Sequence, residues 1–274
     1  SNNIGVIVPE IRNAFFSEVV SGIEDLAYKA GYTIMVCQSN DTFERETVNT
    51  RALAANRVAG MLVSVSRETR DFDHLRQVIR QGVPMVLFDR VVEEIDAPKV
   101  MVDDFNGAYR AVTHLIETGR TRIAHLTSAD SLVVVKERRD GYEAALRDHG
   151  LPLRAEYMIE GGCREEDGHL GAQRLMALDE PPDGIFASND SVAFGAFGYF
   201  QDQQIAIPEQ VGLVGFSDNP HSALLRPALT TVKQPAYEIG ETAASILLDM
   251  MNGRELKNGR TIILKTRLMV RGST

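Results

Sequence analysis

Tryptophan is absent and cysteine nearly so: Cys37 and Cys163 stand alone in 274 residues, with no CxxC spacing. That rules against a disulfide framework and a structural zinc site, and fits a reducing, cytoplasmic setting. No apolar run is long enough to span a bilayer, and no secretory leader opens the sequence, so no membrane role is expected. Phosphate-cradling glycine patterns are missing too, both G-x-G-x-x-G after a strand and G-x-x-x-x-G-K-[ST]. Gly215-Phe216-Ser217-Asp218-Asn219 begins like a nucleophile elbow but lacks its second glycine. The six histidines fall singly. No cofactor, no metal and no catalysis are therefore expected. Positive charge is short as well: 29 Lys and Arg against 38 Asp and Glu give a net charge of −9. Such a segment grips nucleic acid poorly by itself.

What is present is a regular alternation of short apolar runs with helical periodicity. In the stretch 184–219, Ile185–Ala187 and Val211–Phe216 each read as a buried strand ending in small polar residues, Ser188-Asn189-Asp190 and Ser217-Asp218-Asn219. Between them Val192, Ala193, Ala196, Phe197 and Phe200 recur at helical spacing, and Asn or Asp at the turn can cap that helix. The unit is strand–helix–strand, with polar residues at the carboxyl ends of strands, where open α/β sheets bind ligands.

The same grammar runs from the start. Strands are expected at Ile4–Val8, Tyr32–Cys37, Gly60–Val63, Met85–Phe88 and Val100–Val102, with helices through Val19–Ala27, Val48–Ala54, Leu75–Ile79 and Ala108–Ile116. It begins again at Ile123–Leu126 and Tyr157–Ile159, with helices through Tyr142–Leu146 and Leu170–Leu178. A helix from about Tyr237 to Met251 and late strands at Ile262–Leu264 and Arg267–Val270 close the chain. The fold class is α/β, two Rossmann-like lobes with parallel sheets and right-handed crossovers. Residues 60–89 and 184–217 share a loose pattern, a duplication of design rather than of sequence. Ser1-Asn2 run straight into a core strand, so an N-terminal part is expected to lie outside this sequence.

The polar residues at strand ends are Asn13, Ser66, Asp89, Arg90, Ser128, Asn189, Asp190 and Ser217. If the lobes face each other, these line one cleft. Carboxylates, amides and arginine bond vicinal hydroxyls in pairs, and Phe15 or Phe16 can cover the apolar face of a sugar. Turns are polar for their own reasons, so each residue singly fits a turn as well as a ligand.

The chain resembles the effector-binding region of the lactose/galactose repressor family of bacterial transcription regulators. The resemblance is carried by Ile4-Gly5-Val6-Ile7-Val8-Pro9 with Asn13-Ala14-Phe15-Phe16 and Gly22-Ile23-Glu24, and by Gly82-Val83-Pro84-Met85-Val86 leading to Asp89-Arg90. It continues through His114–Gly119 before Arg122-Ile123-Ala124, Arg138-Arg139-Asp140-Gly141-Tyr142, Asn189-Asp190 with Ala193 and Gly195-Ala196, and Pro227–Val232 with Gln234-Pro235. It implies a periplasmic-binding-protein-like fold (type I) with crossing strands. The first lobe is expected at 4–120 with about 235–262, and the second at 121–234 with about 263–272. It further implies a helix-turn-helix domain preceding this segment and contacting operator DNA, a sugar or sugar-derived effector between the lobes, and a homodimer. The apolar face of Val19, Val20 and Ile23 is the expected dimer patch. A periplasmic sugar-binding protein of a transport system is the alternative.

Carried over residue by residue, Phe15 and Phe16 form a ligand wall, Arg138 reaches the ligand, Asn189 stands at the cleft, and Gln234 lies on the late crossing segment. Asp190 is open to a helix-capping role and a ligand role alike. Loss of Arg138 is expected to abolish binding and leave the fold intact. The sequence departs from the family pattern at Asn13-Ala14, at Asp104 after Asp103, at Cys163 where an aromatic wall is common, and at Ser217 where an aspartate is common. With no aspartate at Ser217 to offset Arg138, a modest preference for a sugar acid or sugar phosphate over the matching neutral sugar is expected; the alternative is that Asp190 or Asp218 takes over and the ligand is a neutral sugar.

Overall fold

The computed structural model describes residues 2–256 and 260–274. In chain order its elements are β1 (Asn3–Val8), α1 (Ala14–Lys29), β2 (Thr33–Gln38), α2 (Phe43–Ala55), β3 (Gly60–Val63), α3 (Asp73–Arg80), β4 (Met85–Phe88), β5 (Lys99–Val102) and α4 (Asp104–Glu117). There follow β6 (Ile123–Thr127), α5 (Val133–Asp148), β7 (Met158–Glu160), α6 (Glu165–Met176), β8 (Gly184–Ala187), α7 (Asp190–Asp202), β9 (Gly212–Ser217), β10 (Thr230–Lys233), α8 (Ala236–Met251), β11 (Thr261–Leu264) and β12 (Arg267–Met269). The chain divides into two compact units, Ser1–Val102 with Pro235–Leu264, and Asp103–Gln234 with Lys265–Thr274. Residue 1, and residues 257–259 inside the range expected for the first lobe, lie outside the described residues.

The first unit holds a parallel sheet in the order β11-β5-β4-β3-β1-β2. Both faces of its centre are covered, which is why β1, β3 and β4 read as unbroken apolar runs. Alternation sorts the side chains. Ile4, Val6 and Val8 of β1 join Phe16, Val19 and Ile23 of α1 and Ile239, Ala243 and Leu247 of α8. Ile7 faces the other way, with Met61, Leu53 and Leu75. Helices α1 and α8 cross in near backbone contact: a Cβ on Gly22 would lie 2.2 Å from the Tyr237 carbonyl oxygen, so only glycine fits. Val19 and Ile23 are fully buried in this core and Val20 is partly buried against it. The stripe expected to make a dimer patch is therefore intramolecular packing.

The second unit repeats the order as β12-β10-β9-β8-β6-β7, parallel except for the β10–β12 pair. Strands β6, β7, β8, β9 and β10 occupy the places of β1, β2, β3, β4 and β5 in the first unit. The duplication read in the sequence is thus one of topology. In each sheet the order reverses beside the unit's first strand, β1 or β6, where such sheets place ligands at the carboxyl ends. Residues 103–120, expected in the first lobe, belong to the second unit. Their helix α4 buries Ala108, Ala111, Val112 and Leu115 against Tyr142, Ala145 and Leu146 of α5 and against Phe186 and Val214 of the sheet.

Candidate functional site

At the carboxyl end of β1 in the first unit, Asn13 caps α1, its Oδ1 accepting the Phe15 N–H at 3.0 Å. That fixes Phe15 and Phe16, whose rings meet edge to face at 5.1 Å. Phe16 is buried in the core of this unit, and Phe15 is partly buried beside it. After β4 the chain turns through Asp89 with φ 58° and presents Arg90. The Arg90 guanidinium stands 5.5 Å from the Phe16 ring centroid and donates to Asp41, which sits beyond the end of β2. Asp41 also accepts the Arg67 N–H at 3.0 Å. Sequence reading missed Asp41, although the strand-end rule applied to β2 points to it.

Ser66 follows β3 but holds its own turn. It is fully buried, its N–H donates to Glu46 Oε2, and its Oγ lies 2.6 Å from Thr69 Oγ1. Glu46 Oε1 accepts from Thr69 at 3.0 Å and meets His74 Nε2 at 2.8 Å. Ser66, expected at a ligand, is buried in this network and closes the loop.

In the second unit Asn189 ends β8 and caps α7. Its Oδ1 accepts the Val192 N–H at 2.9 Å and its Nδ2 donates to the Cys163 carbonyl at 3.0 Å. This bond ties the turn before α6, with the half-buried Cys163 thiol, to the end of β8. Ser128 after β6 donates to Asp130 at 2.6 Å.

Asp190 is 2% exposed. Oδ1 accepts from Thr231 Oγ1 at 2.7 Å, and Oδ2 accepts from Ser222 Oγ and the Asn219 N–H at 2.7 Å each. Burial pushes its carboxyl above the ordinary range, and these three hydrogen bonds pull against that rise. Both oxygens are occupied by protein donors. Asp190 clamps the turn after β9, and the cap of α7 is Asn189.

Arg138 projects from α5 and is 8% exposed. Its guanidinium carbon lies 3.8 Å from the Phe216 ring centroid. Nε donates to Asp104 Oδ1 at 2.8 Å, Nη2 lies 2.8 Å from the same oxygen, and Nη1 donates to the Ser188 carbonyl at 2.7 Å. Nη1 and Nη2 each carry a second hydrogen. Gln234, 4% exposed, donates from Nε2 to Ser217 Oγ at 2.9 Å, and its Oε1 finds no partner among the described residues. Arg138, Ser217, Gln234 and Asn189 are thus gathered at the ends of β8, β9 and β10. Asp218, beside Ser217, is engaged by Arg271 at 2.8 Å.

The expectation of an uncompensated Arg138 does not hold. Asp104, buried to 2% exposure, supplies the counter-charge that Ser217 lacks. Its place after Asp103 was visible in the sequence as a departure; its partner was not. Among the described residues no group of three His, Cys, Asp or Glu side chains could hold a metal ion, and no helix is long and apolar enough to cross a membrane.

A family model described as periplasmic binding proteins and sugar binding domain of LacI family matches residues 1–270. The HTH-type transcriptional repressor CytR of Escherichia coli K12 is 32% identical over 274 residues, covering 100% of this chain and 80% of that protein. The HTH-type transcriptional repressor PurR of Vibrio cholerae is 31% identical over 255 residues, 93% of this chain and 76% of its own length. Among solved structures, the LacI family transcriptional regulator of Enterococcus faecium with bound ribose superposes with a TM-score of 0.89 at 30% identity, covering 99% of this chain and 98% of that one. The transcription regulator CcpA of Lactococcus lactis gives 0.92 at 25% identity, with 99% and 98% covered. The chain belongs to the LacI family, as an effector-binding regulatory domain on the periplasmic-binding-protein fold rather than a transport protein.

Proposed function

We propose that this domain recognises a sugar or sugar derivative through the strand-end residues described above and reports it to operator-binding domains within a cytoplasmic homodimer, without catalysis. One observation carries the reading of the site. Arg138 is held rigidly over Phe216 by Asp104 and the Ser188 carbonyl, with N–H groups left over, beside a buried Gln234 acceptor that has no protein partner. Donor and acceptor are fixed before any ligand arrives, which lowers the ordering cost of binding. Arg138, Gln234, Ser217 and Asn189 are the proposed contacts in the second unit; the corresponding strand-end residues of the first unit are Asn13, Phe15, Asp89 and Arg90. Ribose in the Enterococcus faecium regulator supports a carbohydrate effector.

The relatives are helix-turn-helix repressors, and with a net charge of −9 these 274 residues are a poor grip for DNA. Operator contact is accordingly assigned to a helix-turn-helix unit and not to this segment. For the dimer, the exposed apolar side chains of Phe43 and Val48 on α2 are the supporting feature, now that the α1 stripe is core. Titration calorimetry against a panel of monosaccharides and nucleosides tests the site. Saturable binding that weakens in Gln234→Ala is expected; equal affinity in wild type and variant would refute the assignment.

A further inference from the structure

The arginines at these strand ends are all paired with carboxylates. Arg138 is paired with Asp104, Arg271 with Asp218, and Arg90 and Arg67 with Asp41. The Arg138 pair is the most deeply buried of these, and Asp104 takes two nitrogens of the guanidinium on one oxygen. An incoming anion would meet a guanidinium whose charge is already matched, with a fixed negative charge directly behind it.

A second observation is independent of charge. The Gln234 Oε1 is a buried acceptor with no partner among the described residues, while Arg138 offers only donors. A ligand satisfying both must accept from one and donate to the other. A hydroxyl group does both. An ionised carboxylate or phosphate group only accepts, so that group can meet Arg138 but cannot donate to the Gln234 oxygen.

We propose that Asp104 is a specificity-determining residue that makes this domain select uncharged hydroxyl-bearing effectors and reject their acidic counterparts. Asp104 acts through Arg138: it cancels the attraction that an arginine at a ligand edge would otherwise exert on carboxylates and phosphates. The proposal rests on the reading of the Arg138–Gln234 cluster as the effector site. Asparagine at position 104 would keep an oxygen for the Arg138 Nε and lose the charge. Two charges a few ångströms apart in a partly buried setting interact strongly enough for that loss to shift the affinity ratio of acidic to neutral ligand by roughly tenfold or more.

The experiment is calorimetry on wild type and Asp104→Asn with matched probes: D-galactose against D-galacturonate, D-glucitol against D-gluconate, D-ribose against D-ribose 5-phosphate, and adenosine against its 5′-monophosphate. In wild type the neutral member is expected to bind more tightly in every pair where either binds. In Asp104→Asn the acid-to-neutral affinity ratio is expected to rise about tenfold or more. The ratio separates charge from size, because a pocket that is merely too small for the acid gains nothing from asparagine. An acidic probe binding wild type as tightly as its neutral partner would overturn the proposal, as would a ratio unchanged by the substitution. A variant that fails to fold leaves the wild-type comparison decisive. If no probe of either kind binds wild type, the reading of the site falls and the proposal with it; if acidic probes alone bind, the site reading stands and the proposal falls.

Discussion

Replacing Arg138 by alanine is expected to unsettle the second unit, not merely to empty a binding site. The side chain is 8% exposed and Asp104 beneath it 2%. Removing one partner of such a pair leaves a buried carboxylate without its counter-charge, which costs about 3–5 kcal/mol. The Ser188 carbonyl loses its 2.7 Å donor and the Phe216 ring its cation at the same time. These losses overlap and should not be summed, so about 3–5 kcal/mol stands as the expectation. Against a domain stability of about 5–15 kcal/mol that is a large fraction. Urea unfolding followed by circular dichroism measures it. The double substitution Arg138→Met with Asp104→Asn, which removes both charges at similar volume, should recover more than half of the loss. Arg138→Lys keeps a positive charge near Asp104 but not the planar fork, and so separates effector contact from structural support. An Arg138→Ala protein within about 1 kcal/mol of wild type, or a double variant as unstable as the two single losses together, would refute the reasoning.

Asp190→Asn should cost less than about 1.5 kcal/mol at neutral pH, because an amide can still accept on one side and donate to the Thr231 hydroxyl on the other, whereas Asp190→Ala strands three donors and should cost several-fold more; equal melts for the two would contradict the clamp. With the Asp190 pKa raised, its stabilising contribution is present at the acidic end and lost as pH rises through the folded value, so the stability of wild type relative to Asp190→Asn should fall as pH rises from about 4. His125 behaves in the opposite sense. Fully buried between Phe186 and Tyr142, it donates from Nδ1 to the Phe186 carbonyl, and burial holds its pKa down to about 4. Its contribution is present above about 6.5 and lost as pH falls toward 4, so wild type should lose about 3 kcal/mol relative to His125→Gln over that interval in pH-dependent urea melts. Parallel pH profiles for wild type and variant would count against this. Finally, Val48→Asp places a charge on an exposed apolar position of α2 and should shift a sedimenting dimer toward monomer without changing the melting of the monomer; an unchanged dimer would move the interface elsewhere.

The α/β alternation was legible because buried parallel strands leave unbroken apolar runs such as Gly60–Val63 and Met85–Phe88, and glycine closes the intervening helices. The polar strand ends were legible as a rule of position: small polar residues follow strands, and Asn13 and Asn189 cap the helices that come next. What the sequence could not separate was a polar residue that faces outward from one that holds its own turn. Ser66 and Asp190 look like Asn189 on paper, but Glu46 draws in the first, and Thr231, Ser222 and Asn219 close over the second. Those partners lie 20 to 41 residues away, beyond any local pattern.

Asp104 is the sharpest case. It stands 34 residues before Arg138, on a helix assigned by its sequence neighbours to the other unit. What joins the two is the packing of α4 on α5, and that packing depends on a residue carrying no charge. A Cβ on Gly141 would lie 2.4 Å from the Phe105 carbonyl oxygen, so the helices approach closely only with glycine there. In the motif Arg138-Arg139-Asp140-Gly141-Tyr142, then, the glycine and the arginine serve one purpose. Gly141 lets α4 come near enough for Asp104 to reach the guanidinium, Tyr142 anchors the helix through its hydroxyl to the Ile123 carbonyl at 2.8 Å, and Arg138 is left pointing its remaining N–H groups from a fixed base. The charge beside Arg138 is thereby set in the helix pair α4–α5, by a residue that sequence order places far from it.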